Sequence, residues 1–354
     1  MEAINEQRAE AFAEKMLGVL DGASLALLIS VGHQTGLFEA LSGLGPATST
    51  QIARAATLDE RYVREWLGGM VVGEVVEYDP TSGTYTFPAE HAAFTTEAAG
   101  PDNLAFFTQY VGLMGTIQPE IVRVFREGGG VPYGAYDNFQ TIQRDETARV
   151  YDAALVDAIL PLAPVVVERL EAGVDVLDVG TGAGHAVNIM ARAFPNSRFV
   201  GIDLSEEGIR LGRAEAHEWG LDNVTFEVAD AAAVTGVYDL ITAFDSIHDQ
   251  AQPTKVLAAI ADALADGGVF LMGDIAMSSN LEDNVGNPLA ATVFAFSVFH
   301  CLTVSLAYGG EGLGTAWGEQ LAREMLRKAG FADVQTAQID GDPLNIYYVA
   351  RKVQ

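Results

Sequence analysis

After Gly173 the chain alternates short apolar runs with amphipathic stretches, and this alternation limits the available folds more than any other feature. Strands are expected at Val174 to Val179, Arg198 to Ile202, Val224 to Val228, Tyr238 to Ala243 and Val269 to Met272, with helical stretches between them. Strands joined through helices run in the same direction, so the pattern predicts a parallel sheet covered on both faces. A further helix at Leu321 to Ala329, stopped by Gly330, precedes two last strands at Val334 to Ile339 and Ile346 to Val349. The result is an α/β domain with a seven-stranded, mainly parallel sheet.

Ligands of such sheets bind beyond the carboxyl ends of the strands, where backbone amides at a helix start are available. The first strand runs into Asp178-Val179-Gly180-Thr181-Gly182-Ala183-Gly184. Gly180, Gly182 and Gly184 permit a tight turn and close backbone approach, and Asp178 places a carboxylate beneath it. A dinucleotide fingerprint requires Gly-x-Gly-x-x-Gly/Ala, but the closing position is His185 counted from Gly180 and Val187 counted from Gly182. The turn therefore suits a ligand without a pyrophosphate. Asp203, followed by Leu204, ends the second strand, where an acidic residue accepts ribose hydroxyls, and Asp230 with Ala231 ends the third. A lone Asp at such a place reads better as a helix cap or a solvated loop residue; three carboxylates after three successive strands point to a nucleoside site.

The N-terminal part is mainly helical. Phe12, Met16, Val19 and Leu20, then Leu25, Leu28 and Ile29, recur at helical spacing. Thr48 and Gln51 match a capping box for a short helix through Ala55, and Thr57 with Glu60 has the same spacing ahead of a stripe formed by Tyr62, Val63, Trp66, Leu67, Met70 and Val71. Val75 to Tyr78 and Thr84 to Phe87 flank a turn and predict a hairpin. Helix, turn, helix and hairpin make a winged-helix arrangement. Between Gly45 and Thr95 there are three arginines, no lysine and seven acids. A surface of that sign repels phosphate backbones, so nucleic acid is an unfavourable partner and dimerisation a better use of the domain.

Formal charge supports the same exclusion: 48 acidic against 20 basic residues leave a net charge of −28. A lone cysteine, Cys301, allows no intrachain disulfide, and Met1 to Leu20 lacks the basic start and apolar core of a signal peptide, so a reducing, cytoplasmic setting is expected. Pro288 to Gly310 carries no Asp, Glu, Lys or Arg; because Thr292, Ser297, His300, Thr303 and Ser305 interrupt it, buried helices are expected in place of a membrane span. His300 reads as a satisfied core histidine and Cys301 as a packed thiol. Tyr133 and Tyr136, in the loop after Gly128-Gly129-Gly130, and Phe294, Phe296, Phe299 and Tyr308 are candidates either for a pocket lining or for core packing.

Asp178 to Gly184, Asp203, Asp230 and Phe244-Asp245-Ser246-Ile247-His248-Asp249 together resemble the class I S-adenosylmethionine-dependent methyltransferases, whose domain is Rossmann-like. The whole chain is similar to small-molecule O-methyltransferases with an N-terminal winged-helix-like dimerisation domain, and to related bacterial regulators. The resemblance implies a winged-helix-like dimerisation domain over 1–100, a helical connector over 101–170 and a cofactor domain over 171–354. It implies S-adenosylmethionine as cofactor, with the methionine end at Asp178, Gly180, Thr181, Gly182 and Gly184. Ribose then lies at Asp203 and Leu204, adenine at Asp230 and Ala231, and Phe244 and Asp245 complete the site. His248 corresponds to the family's catalytic base; Gln250-Ala251-Gln252 replaces the usual Trp-x-Asp continuation. The implied reaction is methyl transfer to a small-molecule acceptor by a homodimer. A winged-helix regulator with a methyltransferase-like sensing domain is the alternative, and a capping or packing role is the alternative for His248.

Overall fold

The computed structural model describes residues 4–352. The chain divides into two compact units, one ending at Thr116 and one beginning at Ile117.

The first unit opens with a single helix, α1 (Glu6–Gln34), whose N-cap Asn5 accepts the Arg8 amide. Its first half presents Phe12, Met16, Leu17, Val19 and Leu20 to solvent, each at least 48 % exposed. From Leu25 onward it packs on a core of α2 (Leu37–Ser42), α3 (Ser49–Ala56) and α4 (Glu60–Val72), centred on Phe38, Ile52, Leu67 and Met70. The Thr48–Gln51 capping box forms as expected. The Thr57–Glu60 box does not: Thr57 closes α3 in a left-handed conformation, Asp59 caps α4, and Glu60 instead accepts the Ser49 hydroxyl. An Asp next to the first helical residue accepts two amides directly, which a Thr two residues earlier cannot. The expected hairpin is present but short, β1 (Glu77–Asp79) against β2 (Thr84–Thr86).

The second unit is built on seven strands: β3 (Asp175–Val179), β4 (Arg198–Asp203), β5 (Val224–Val228), β6 (Tyr238–Phe244), β7 (Leu264–Ile275), β8 (Phe331–Ile339) and β9 (Asp342–Lys352). Their order is β5-β4-β3-β6-β7-β9-β8, parallel from β5 to β7, with β9 antiparallel to both β7 and β8. Val176, Leu177 and Val179 in β3 are at most 1 % exposed because helices cover both faces of this central strand. One face packs on Leu155, Ile159, Val187 and Met190, the other on Val256, Ile260, Ala322 and Leu326. The chain starts at β3, moves outward to β5, and returns to place β6 on the other side of β3. The carboxyl ends of β3 and β6 therefore flank the switch point of the sheet, where a crevice opens.

Among the described residues, two helices are long and apolar enough to cross a membrane: Glu6–Gln34 and Ala290–Ala307. The second is the apolar segment expected to be buried, and it is only partly so. Val293, Cys301 and Val304 face the interior while Phe294 and Leu306 are 38 % exposed. A π-helical turn, Ser297–Cys301, interrupts it. The extra residue of such a turn changes which side chains face inward, and here His300 and Cys301 are buried together.

Candidate active site

Gly180, Gly182 and Gly184 all have positive φ, +66°, +54° and +74°. At Gly180 a Cβ would lie 2.4 Å from the Ser246 Cβ, and at Gly184 2.4 Å from the Phe226 ring, so neither position accepts a side chain. The turn is held from three sides. The Thr181 amide donates to the Ile202 carbonyl at 2.9 Å and the Gly182 amide to Asp203 Oδ2 at 2.8 Å. Beneath, Asp178 accepts the hydroxyls of Thr181 and Thr242, both at 2.6 Å. Burial pushes the Asp178 carboxyl up to about 6, and the two hydroxyl donors oppose that rise. With both oxygens occupied and 3 % exposure, Asp178 braces the turn from below.

Asp203 Oδ1 accepts the Ser205 amide at 2.7 Å, so the carboxylate is locked at the end of β4. Burial raises its pKa and the amides of Ser205 and Gly182 work against that. Each Asp203 oxygen keeps lone-pair capacity for a diol. Leu204 is 45 % exposed beside it. Asp230 is exposed and accepts the Ala232 amide at 2.9 Å, capping a short turn that starts at the buried Ala231. Phe244 packs at 5.1 Å on Tyr151, and Asp245 follows it with φ +48°. Its amide donates to the Gly273 carbonyl, while Oδ1 is buried with no partner among the described residues; burial holds this carboxyl well above the usual range.

His248 is 3 % exposed. Its Nδ1 donates to Asp274 Oδ1 at 2.8 Å, and its Nε2 lies 3.3 Å from Cys301 Sγ. Burial lowers the pKa of the ring, but the Asp274 carboxylate and then Cys301 outweigh it and raise it well above the ordinary value. Next to it, Asp249 accepts the Tyr133 hydroxyl at 2.7 Å; burial lifts this carboxyl to about 6 against the influence of His248 and Tyr133. Tyr136 donates to the Phe299 carbonyl at 2.6 Å, and His300 stacks on Phe139 at 3.8 Å. The loop that departs from the Trp-x-Asp continuation closes on itself, since Gln250 Nε2 donates to the Ser246 carbonyl at 3.0 Å.

Two expectations are corrected. His300 is in the core but not satisfied: Nε2 has no partner among the described residues, and burial lowers its pKa to about 3, so the ring is neutral. Cys301 is more than a packed thiol, because it touches His248. Sequence reasoning also missed Asp274. Its only signal was its place two residues beyond the end of the expected strand at Met272; β7 runs on to Ile275 and carries Asp274 to the same end of the sheet as His248.

Two families match the chain: one described as an Rv2258c-like winged HTH domain over residues 23–97, and one described as a methyltransferase domain over residues 170–330. The chain is 35 % identical over 149 residues to nocamycin O-methyltransferase of Saccharothrix syringae, a match covering 40 % of this chain and 53 % of that protein. It thus spans about half the length of that relative. It is 31 % identical over 182 residues to the ubiquinone biosynthesis O-methyltransferase of Thiobacillus denitrificans, covering 50 % of this chain and 72 % of the other. Human N-acetylserotonin methyltransferase in complex with SAM has the same fold: TM-score 0.69 over 100 % of both chains at 17 % identity.

Proposed function

The chain belongs to the S-adenosylmethionine-dependent methyltransferases, and we propose that it methylates an oxygen of a small-molecule acceptor with His248 as the base. The observation that carries this reading is the buried His248–Asp274 pair at the carboxyl edge of the sheet, with His248 in the loop after β6, the neighbour of β3, and Asp274 near the end of β7. The named relatives are O-methyltransferases, which supports the choice of oxygen.

The residues present fit the cofactor. Gly180 and Gly184 leave no room for a side chain and Gly182 has positive φ, Asp203 is fixed and has spare acceptor capacity, and the acids Asp178, Asp203 and Asp249 at the strand ends favour a cationic ligand without phosphate. Gly180, Thr181, Gly182 and Gly184 would hold the methionine end, Asp203 and Leu204 the ribose, Asp230 and Ala231 the adenine, with Phe244 and Asp245 at the inner wall. When bound, S-adenosylmethionine supplies a sulfonium methyl open to in-line attack. The protein's own task is positioning and one proton. His248 Nε2 takes the acceptor's hydroxyl proton as the oxygen becomes nucleophilic, and Asp274 holds the ring in the required tautomer and stabilises the imidazolium. Tyr133, anchored on Asp249, and Tyr136 both pack edge-to-face on His300.

Calorimetric titration with S-adenosylmethionine and its demethylated product, followed by labelled-methyl transfer to a panel of phenols, tests the reading. Binding of both and label on oxygen are expected; absence of binding would sink it. We also propose that the chain is a homodimer through its N-terminal unit, on the support of the exposed apolar face of α1 formed by Phe12, Met16, Leu17 and Leu20. Sedimentation should then give twice the chain mass and Leu20→Glu about one chain mass, whereas a monomeric wild type would overturn it.

A further inference from the structure

His185 follows the last glycine of the turn and begins the helix His185–Ala193, a place where methyl transfer asks for no histidine. Its side chain is 8 % exposed and meets a carboxylate at each nitrogen. Nδ1 lies 2.8 Å from Glu215 Oε1, on the helix Glu206–Glu218, and Nε2 lies 3.1 Å from Asp152 Oδ1, on the helix Phe139–Ala154. A neutral imidazole carries one N–H, and a carboxylate only accepts. Only the imidazolium can donate to both acids. Burial lowers the pKa of the ring, but Glu215 and then Asp152 outweigh it and raise it above the ordinary value. The charged groups acting on the ring or its partners are Asp152 and Arg144 from Phe139–Ala154, Glu215 from Glu206–Glu218, and Arg192 from its own helix. Arg192 lies over the Trp219 ring, which packs edge-to-face on His185 at 5.6 Å.

The same two neighbouring helices close on the glycine turn. A Cβ on Gly208, in Glu206–Glu218, would stand 2.5 Å from the Gly182 carbonyl, and one on Gly212 would stand 3.1 Å from the Ala183 carbonyl. This helix therefore meets the turn backbone to backbone. Gln140, in the first turn of Phe139–Ala154, brings Oε1 to 3.6 Å from the place of a Cβ on Gly182 and 3.2 Å from that on Gly208. Glu215 also accepts the carboxamide of the fully buried Asn188, one turn beyond His185, at 2.9 Å. One ring thus joins the helix that the turn begins to the two helices that touch the turn.

We propose that His185 is a positioning residue for the cofactor: its imidazolium ties Phe139–Ala154 across the glycine turn, and loss of the ring proton releases that helix and loosens the turn. This rests on the reading of the turn as the cofactor cradle. Deprotonation leaves a single N–H. Glu215 is 17 % exposed and Asp152 56 %, so the remaining hydrogen stays with the more buried acid, where an unmet carboxylate costs more, and Asp152 turns to water. A ring whose pKa is raised by the folded arrangement supports that arrangement below about pH 6.5 and ceases to do so as pH rises through the raised value. Cofactor affinity falls with rising pH, opposite in sign to the turnover governed by His248.

The test uses the full chain and the demethylated product of S-adenosylmethionine, which has no sulfonium charge for the imidazolium to repel. Calorimetric titration from about pH 6.5 upward should show affinity falling by ~3- to 10-fold in wild type, the effect of one charged bond to a partly exposed acid. In His185→Gln the fall should be absent. A second readout needs no ligand. An imidazolium touching an indole quenches its emission, so Trp219 fluorescence should rise with pH in wild type, with a midpoint above about 6.5, and should not rise in His185→Gln. Asp152→Asn, at an exposed position, keeps the test open should the histidine variant misfold: its emission midpoint should be lower and its change in affinity smaller. Binding equally dependent on pH in wild type and His185→Gln, an emission rise that survives in His185→Gln, or an unchanged midpoint in Asp152→Asn would overturn the bridge alone. Absence of binding at every pH would sink the reading of the turn and this inference together.

Discussion

His248→Gln should lower turnover by ~10²- to 10⁴-fold, the usual contribution of a positioned general base, with cofactor affinity changed by no more than about twofold. Glutamine is the informative replacement. Alanine would leave the buried Asp274 carboxylate without its imidazole partner, with only the Ile275 amide on Oδ1, a defect that costs ~3–5 kcal/mol and would confuse lost chemistry with lost fold. Glutamine can still donate to Asp274 Oδ1 but cannot take a proton. The pH profile separates the roles further. Burial lowers the His248 pKa, but Asp274 and then Cys301 outweigh it and hold the value above the ordinary one. The accepting form grows as pH rises through that raised value, and wild-type turnover should climb with pH through and above neutrality. In His248→Gln the climb should be absent. Unchanged turnover, or the same pH profile in the variant, would leave His248 as a packing residue.

Asp203→Ala should weaken S-adenosylmethionine binding by ~10- to 150-fold, measured calorimetrically, because each hydrogen bond to a charged group contributes ~1.5–3 kcal/mol. The loss has two parts. One is direct, the acceptor capacity that would take the ribose hydroxyls. The other is structural: the carboxylate orients the Gly182 amide at 2.8 Å and the Ser205 amide at 2.7 Å, so its removal frees the glycine turn as well as the end of β4. Asp203→Asn, which keeps one acceptor oxygen, should fall between wild type and alanine. Affinity within about twofold of wild type for Asp203→Ala would place the ribose elsewhere.

The amino-acid pattern contained much of this site because its parts are local. A glycine turn with positive φ at three positions, and an acidic residue after each of three strands, are properties of short segments, and short segments are what periodicity and composition report. The seven strands were legible for the same reason, with edges moved by a few residues: β7 extends past Met272 because Asp274 and Ile275 pair with β9, a contact between residues about seventy positions apart. The Thr57–Glu60 box was legible and wrong, since two overlapping caps competed and Asp59 had the better geometry.

What determined the meaning of His248 was not local. Its partner Asp274 is on another strand, Cys301 sits in a π-turn within an apolar stretch, and the Tyr133–Asp249 bond joins residues 116 positions apart. By itself the sequence determined the α/β sheet, the glycine turn and the acids at the strand ends, because backbone conformation and strand-end position depend on neighbours in the chain. Only the tertiary structure decided that one histidine bridges a carboxylate and a thiol, because burial and hydrogen bonding there depend on which distant strands the sheet brings side by side.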